Sequence, residues 1–387
     1  MKEIWKKVKL GEITSNIQTG PFGSQLHMSD YSDEGTPVVM PKDIINGKIS
    51  ESSIARVSEN HVKRLNRYVV FTGNILYARR GDVGKCAYVS EKENGWLCGT
   101  GCLNVESNLD VVDSKFLFFQ LQTPETVGWI QKNAVGATML NLNTEILSRV
   151  PISLPPLETQ QKIASILSAY DDLIENNRKQ IKLLEEAAQR LYKEWFVDLR
   201  FPGYENVAIV DGVPEGWRIG TLGEIGEFKR GKTITKAQAG NGKVPVVAGG
   251  IEPAYYTDKS NTSAPVITIS ASGNAGFVKI YFSKIWASDC SFLDMETNEN
   301  LYYIYSFLKA NQTYIYSLQK GACQQHVYAK DINAMELTIP KINIISDYVC
   351  FVTPYFEKIK ALQKQIQLLQ QARDKLLPRL MSGDMEV

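Results

Sequence analysis

The chain has 387 residues, of which 44% are hydrophobic and 22% charged, as in globular proteins of two or three domains and unlike disordered or collagen-like chains. Its 43 Lys and Arg against 42 Asp and Glu give a net charge of +1, so charge alone identifies neither nucleic acid nor an anionic membrane as partner. The sequence has no apolar leader and no run near the ~18 apolar residues of a membrane span. We therefore expect a cytoplasmic protein without a membrane partner.

The first part of the chain alternates short apolar runs with glycine clusters. Residues 68–71 and 75–77 predict strands, and residues 114–122 predict a helix. Pro151, Pro155 and Pro156 then end the mixed segment and precede a long helix.

That helix carries apolar residues at alternating spacings of three and four, which is a heptad seam typical of a coiled coil. Its seam positions are Ile163, Leu167, Tyr170, Ile174, Asn177, Ile181, Leu184 and Leu191. Asn177 is polar, and a single polar seam residue fixes helix register at some loss of stability. The alternative is that the seam loosens at Asn177.

The second part of the chain repeats this plan. Trp5, Leu10, Gly11, Glu12 and Ile13 recur 212 residues later as Trp217, Leu222, Gly223, Glu224 and Ile225. Residues 266–269 and 277–281 predict strands, and residues 300–310 predict a helix. The chain is therefore a tandem repeat.

A second long helix follows Pro340 at a shift of 185 residues from the first. Its seam positions are Tyr348, Val352, Tyr355, Ile359, Leu362, Ile366, Leu369 and Leu376. Neither helix can bury such a stripe alone, so we expect the two to pack together, antiparallel if the repeats are related by a pseudo-two-fold axis.

The predicted fold is α+β, with two tandem mixed domains joined by two long antiparallel helices that form a coiled coil. We place the first domain at residues 1–155, the first helix at 156–200, the second domain at 201–340 and the second helix at 341–387.

Chemical motifs do not indicate catalysis. Residues 226–233 match the phosphate-binding pattern G-x-x-x-x-G-K-[ST], which makes a nucleotide-binding enzyme using Lys232 one alternative, but such a loop requires a strand before it and a helix after it. Cys98 and Cys102 lack further ligands nearby, so we expect no metal. A coiled-coil scaffold that binds only proteins is the other alternative.

Polar side chains on duplicated glycine-rich loops instead favour DNA recognition, because Arg and Lys pair with guanine edges and Asn and Gln with adenine. Candidates in the first copy are Gln18, Ser24, Gln25, His27, Arg79, Arg80, Thr138, Asn141 and Asn143. Those in the second copy are Lys229, Arg230, Lys232, Ser272, Asn274, Lys320, Gln324, Gln325 and His326.

Five segments together resemble the specificity subunit of type I restriction-modification enzymes. They are Gln18-Thr-Gly-Pro-Phe-Gly-Ser-Gln-Leu26, Ala78-Arg-Arg-Gly-Asp-Val-Gly-Lys-Cys-Ala87, Gly99-Thr-Gly-Cys-Leu103, Gly136-Ala-Thr-Met-Leu-Asn-Leu-Asn143 and Leu154-Pro-Pro-Leu-Glu-Thr-Gln-Gln-Lys-Ile-Ala164. The second copy has Pro340-Lys-Ile-Asn-Ile-Ile where the first has the Pro-Leu-x-x-Gln signature, so the signature is degraded there.

The resemblance implies a non-catalytic subunit that reads a bipartite double-stranded DNA target, one domain per half-site, with the helices as spacer. It also implies two copies of a methyltransferase subunit and a nuclease/translocase subunit as partners. No cofactor is expected in this chain, whereas S-adenosylmethionine, ATP and magnesium are implied for the partner subunits.

Overall fold

The computed structural model describes residues 5–136 and 140–387. The chain divides into two compact units, which we call unit 1 (Met1–Glu175 with Gln367–Val387) and unit 2 (Asn176–Ile366). The boundaries fall inside the two long helices, so each unit contains one mixed segment and a part of each helix.

Each unit contains a four-stranded sheet that is antiparallel throughout and has the same strand order. In unit 1 the order is Thr14–Thr19, Cys102–Ser107, Ile75–Ala78 and Cys86–Tyr88. In unit 2 it is Lys229–Arg230, Cys290–Asp294, Val266–Ser270 and Val278–Tyr281. We call these the central sheets.

The two inner strands of each central sheet are buried on both faces. In unit 1, Leu103 and Val105 on one face join a core with the helix Ser114–Leu121, while Cys102 on the other face joins a second core. All four side chains of the strand Ile75–Ala78 are buried, on both faces of the sheet, which explains why its sequence is apolar throughout instead of alternating.

A second sheet lies in each unit and contains one parallel strand pair. Its strands are Leu97–Cys98, Thr36–Val39, Ala55–Val57 and Tyr31–Ser32 in unit 1, and Trp286–Ala287, Val244–Val247 and Tyr255–Thr257 in unit 2. The remaining strands form antiparallel pairs: Lys6–Lys9 with Pro151–Leu154, Arg218–Thr221 with Glu336–Ile339, Ile44–Ile45 with Lys48–Ile49, and Ile209–Val210 with Val213–Pro214.

Short helices occupy the connections between strands. The α-helices are Glu59–Arg64, Ser114–Leu121, Pro124–Asn133, Thr144–Ser148, Leu222–Ile225, Lys236–Ala239, Leu301–Ala310, Gln312–Ser317 and Ala329–Asn333. Short 3-10 turns cover Leu10–Glu12, Gly23–Gln25, Met28–Asp30, Pro41–Asp43, Asn66–Tyr68, Glu91–Glu93 and Tyr204–Asn206.

Two long helices follow the mixed segments. The first, Leu157–Tyr192, has 36 residues and continues into a π-helical turn at Lys193–Val197, and the second, Ile342–Met381, has 40. No helix in the described part of the chain is both long and apolar enough to cross a membrane.

Within each unit the two helices run antiparallel. In unit 1 the beginning of the first helix (Ile163, Leu167) shares a core with the end of the second (Leu380). In unit 2 the hydroxyl of Tyr348, early in the second helix, lies 3.1 Å from the carbonyl oxygen of Ala188, late in the first. The seam positions of both helices are buried or half-buried.

Two polar residues of the seam have different surroundings: Asn177 of the first helix and Arg373, which lies between Leu369 and Leu376 in the second. Arg373 donates to Asp171 of the first helix at 2.5 Å, which neutralises it within unit 1. Asn177 is 4% exposed, as buried as Ile174 at 3%, and its Nδ2 has no hydrogen-bond partner among the described residues. The seam is therefore closed at Asn177.

One strand expected from sequence is wrong. Residues 68–71 do not form a strand: Asn66–Tyr68 is a 3-10 turn, and Val69 makes a single bridge to Leu97. A short apolar run does not distinguish a strand from a turn that buries its side chains, and Tyr68 is a core residue at 5% exposure.

Candidate nucleic-acid interface

Four loop segments of unit 1 are joined by backbone hydrogen bonds at one end of the central sheet. The N–H of Gly20 donates to the carbonyl of Cys102 at 2.9 Å, and the N–H of Arg79 donates to that of Gly101 at 2.8 Å. The N–H of Leu142 then donates to the carbonyl of Arg79 at 2.8 Å. We call these segments, residues 18–27, 79–84, 99–101, 135–136 and 140–143, the unit 1 loop cluster.

Glycine at position 20 is required by the close approach of two loops. A Cβ on Gly20 would lie 2.1 Å from the carbonyl oxygen of Gly99, and one on Gly99 would lie 2.6 Å from that of Val39. Because the obstructing atoms are backbone, any side chain here would displace the loops.

Several first-copy candidates are held by contacts within the protein. The Gln18 amide donates to the carbonyl of Arg67 at 2.8 Å, and the Gln25 side-chain oxygen accepts from the hydroxyl of Tyr68 at 2.9 Å. The Asn143 side chain accepts from the N–H of Ile146 at 2.7 Å, so Asn143 is the N-cap of Thr144–Ser148.

The other first-copy candidates differ in exposure. Ser24, His27 and Arg80 are exposed, whereas Arg79 and Asn141 are half-buried. Arg80 and Asn141 form a backbone bridge, so the structure brings Arg79, Arg80 and Asn141 together. Thr138 lies outside the described residues.

Unit 2 builds an equivalent set of loops with the same hydrogen bonds. The N–H of Gly231 donates to the carbonyl of Cys290 at 2.8 Å, as Gly20 does to Cys102. The N–H of Ala271 donates to Asp289 at 3.1 Å, and the N–H of Val327 donates to Ala271 at 3.0 Å. We call residues 229–232, 271–276, 287–289 and 320–327 the unit 2 loop cluster.

In both clusters two residues six positions apart exchange a pair of backbone hydrogen bonds. Val135 and Asn141 exchange N–H to carbonyl bonds of 3.0 and 2.8 Å, and Lys320 and His326 exchange bonds of 2.9 and 2.8 Å. Gly136 and Gly321 directly follow the first residue of each pair, with φ of 128° and 118°, a backbone region that glycine adopts at low cost.

The second-copy candidates are mostly exposed. Lys229 and Arg230 form the edge strand of the central sheet, and they are exposed together with Lys232, Asn274, Gln324 and Gln325. Among the ion pairs of residues 5–136 and 140–387, none involves Lys229, Arg230 or Lys232. These cations are therefore available to phosphate or base edges.

Three second-copy candidates have partners. Ser272 is buried and bonds through its hydroxyl to the carboxylate of Asp289. Lys320 pairs with Asp331 at 2.8 Å, and the ring of His326 stacks on that of Tyr328 with centroids 6.1 Å apart.

The nucleotide-binding interpretation of residues 226–233 is wrong. The strand Lys229–Arg230 runs through the middle of the motif, and the next helix, Lys236–Ala239, begins only after Thr235 and has four residues. The carbonyl of Lys232 instead accepts from the indole N–H of Trp286 at 2.7 Å. The backbone thus offers no helix N-terminus for a phosphate at Lys232.

One segment of each loop cluster was not predicted from the sequence, although it joins the other loops. Residues 99–101 and their unit 2 equivalents 287–289 contact two other loops in each cluster, and Thr100 donates its hydroxyl to the carbonyl of Pro21 at 2.8 Å. The paired glycines Gly99 and Gly101 were the available signal, since closely spaced glycines mark close backbone approach.

The charge states of groups near the unit 1 loop cluster follow from their surroundings. Burial raises the pKa of the Cys98 thiol to about 12, and that of Cys102 is also raised well above its usual value, so both are neutral. No cluster of three or more His, Cys, Asp or Glu side chains suited to a metal occurs in residues 5–136 and 140–387. A hydrogen bond from the His27 N–H, supported by Arg64, lowers the pKa of Asp30.

Comparison with known proteins gives one consistent result. Residues 2–186 and 214–371 match the family model described as the type I restriction modification DNA specificity domain. The MjaIX type I restriction enzyme specificity subunit of Methanocaldococcus jannaschii is 28% identical over 415 residues, covering 99% of this chain and 93% of that protein. The HindI specificity subunit of Haemophilus influenzae is 22% identical over 464 residues, covering 98% and 99%.

Among solved structures, the type I restriction-modification S subunit from M. genitalium aligns with a TM-score of 0.60 at 20% identity, over 97% of this chain and 96% of that one. This likeness supports the predicted tandem α+β fold with long helices. The comparisons support neither the nucleotide-binding enzyme nor the protein-only scaffold.

Proposed function

We propose that this chain, which belongs to the family of type I restriction-modification DNA specificity domains, is the subunit that reads a bipartite DNA target, with one loop cluster for each half-site. The observation that carries this proposal is the duplication of the cluster. The same backbone hydrogen bonds fix the same loops in both units, while the side chains that they display differ.

The chemistry displayed suits base and phosphate recognition more than catalysis. Arg79, Arg80, Lys229, Arg230 and Lys232 supply donors for guanine edges and phosphates, and Asn141 supplies an amide for adenine. The thiols of Cys98 and Cys102, close to these loops, are buried and neutral.

The finer assignments form part of the proposal. The recognition domains are residues 1–155 and 201–340, and the helices at 156–200 and 341–387 are the spacer. Two methyltransferase subunits and a nuclease/translocase subunit join the chain in the cytoplasm and carry the S-adenosylmethionine, ATP and magnesium that the reactions need. The degraded signature at Pro340 makes the first helical region the stronger docking site.

The proposal is tested by binding. The modified bases of the source genome would be sequenced to define both half-sites, and the chain in complex with its cognate methyltransferase subunit would be titrated against a duplex carrying that target. We expect tighter binding to the target than to a scrambled duplex of equal length, as for specific complexes in general. Equal affinity for both duplexes would contradict the proposal. That result is the one expected of a scaffold that binds only proteins.

Salt dependence gives a second readout. With a net charge of +1 the isolated chain is expected to show a shallow dependence of log K on log salt, and its partners to supply most phosphate contacts. A slope as steep for the isolated chain as for the complex would contradict this division.

A further inference from the structure

We infer that Arg79 and Asn141 form a base-reading pair for one half-site, and that unit 2 reads its half-site without an equivalent pair. This inference rests on the proposed function and names the residues that determine specificity within it.

Backbone bonds join the two loops that carry these residues, and Arg80, next to Arg79, forms a backbone bridge with Asn141. The carbonyl of Arg79 accepts from the N–H of Leu142 at 2.8 Å, and the N–H of Gly81 donates to the carbonyl of Leu140 at 3.3 Å. Asn141 is held from its other side by the bridge to Val135. The positions of both Cα atoms are thus set before any ligand binds, which is the arrangement that specific recognition favours.

Both side chains contain a buried polar atom without a partner. The Nε of Arg79, a donor, and the Oδ1 of Asn141, an acceptor, make no hydrogen bond among the described residues. Buried polar atoms are nearly always satisfied, so Arg79 and Asn141 each keep hydrogen-bonding capacity that the described residues do not use. Other unsatisfied side-chain atoms of unit 1 belong to Asn104, Ser107 and Gln120, which lie outside the unit 1 loop cluster.

The chemistry of the pair matches base edges in the major groove. A guanidinium donates two bonds to O6 and N7 of guanine, and a carboxamide exchanges two bonds with N6 and N7 of adenine. A phosphate would satisfy Arg79 but would leave the Asn141 oxygen without a donor, so a base edge fits both members better.

Unit 2 differs at the equivalent positions. Ala271 occupies the place of Arg79, because it makes the same backbone bonds to Asp289 and Val327. His326 occupies the place of Asn141 and stacks on Tyr328. The exposed cations of unit 2 lie instead at Lys229, Arg230 and Lys232, where unit 1 has Gln18, Thr19 and Pro21. The same backbone therefore presents different chemistry to each half-site.

The test uses the full chain in complex with its cognate methyltransferase subunit and a duplex library. In each library one half-site of the established target is randomised, and bound duplexes are sequenced. The variants are Arg79→Lys, which keeps the charge but loses the planar fork, and Asn141→Ala. Arg149→Ala, which replaces an exposed arginine of unit 1 outside the loop cluster, is the matched control.

Each variant should lose discrimination at one base pair of one half-site, by about 5- to 150-fold, while selection at the other half-site stays unchanged. The control should retain the wild-type preference at both. Thermal melting of each variant complex would show whether the fold is intact.

Three results would overturn the inference: unchanged preference in both variants, a change at the half-site read by unit 2, or weaker binding that is uniform over all sequences, as a phosphate contact predicts. A wild-type complex that selects no sequence would instead contradict the proposed function itself. The two failures are therefore distinguishable.

Discussion

Replacement of Asn177 by leucine should stabilise the protein. The side chain is 4% exposed in the helix seam, and its Nδ2 has no hydrogen-bond partner in the described part of the chain. A buried polar group without a partner costs about 1–3 kcal/mol, and leucine has a similar size without that penalty. We expect Asn177→Leu to raise the free energy of unfolding by about 1–3 kcal/mol.

The matched comparison is Ile174→Ala, one turn earlier in the same seam. Ile174 is 3% exposed, and truncation of a buried isoleucine costs about 2–5 kcal/mol through lost burial and the cavity left behind. Both variants would be unfolded in guanidinium chloride and followed by far-ultraviolet circular dichroism.

The opposite sign for Asn177→Leu would refute this reasoning. A fall in unfolding free energy would mean that the amide makes favourable interactions in the seam. The variant could also be more stable and yet self-associate, or bind its methyltransferase partner in an altered stoichiometry. That result would mean that Asn177 fixes helix register at a cost in stability, as polar seam residues do in coiled coils.

Four further outcomes are expected. Tyr348→Phe should lower the unfolding free energy by about 1–3 kcal/mol, because the hydroxyl lies 3.1 Å from the Ala188 carbonyl in a buried site. Gly231→Ala should abolish selection of one half-site, since its Cβ would lie 2.4 Å from a backbone oxygen, whereas Gly128→Ala, in open space within a helix, should stabilise by about 1 kcal/mol. Stability should fall above about pH 10, because burial raises the pKa of Tyr302 to about 12.

Each of these has a direct measurement. Denaturant unfolding tests Tyr348→Phe, and an unchanged midpoint would contradict the expected loss. Selection from randomised duplexes tests Gly231→Ala, and wild-type preference would show that the backbone tolerates a side chain at this position. The stability of Gly128→Ala would be measured by unfolding as well, and a loss would show that the helix needs glycine there.

The sign of the alkaline effect follows from the proton count. Between about pH 10 and 12 the unfolded chain releases the Tyr302 proton while the folded chain keeps it, so unfolding becomes more favourable by about 1.4 kcal/mol per pH unit. Tyr302→Phe should reduce the slope of unfolding free energy against pH in this window. An identical slope would exclude this tyrosine as a contributor.

Two elements predicted for the second half of the chain agree closely with the structure. The strand predicted at residues 266–269 is Val266–Ser270, and the helix predicted at 300–310 is Leu301–Ala310. The equally short apolar run at residues 68–71 is instead part of a buried turn, because four apolar residues alone do not distinguish a strand from such a turn. The phosphate-loop motif likewise gave no information on the strand that runs through it.

The sequence by itself determined the tandem repeat, the two long helices and the loops that carry polar residues, because periodicity and glycine spacing are local properties of the chain. Only the tertiary structure decided which of those residues are neighbours. Arg79 and Asn141 are far apart in sequence, and the backbone bridge between Arg80 and Asn141 joins the two loops that carry them, whereas Gln18 and Asn143 bond within the protein. Contacts of this kind depend on how strands pair across the whole unit, so no local pattern encodes them.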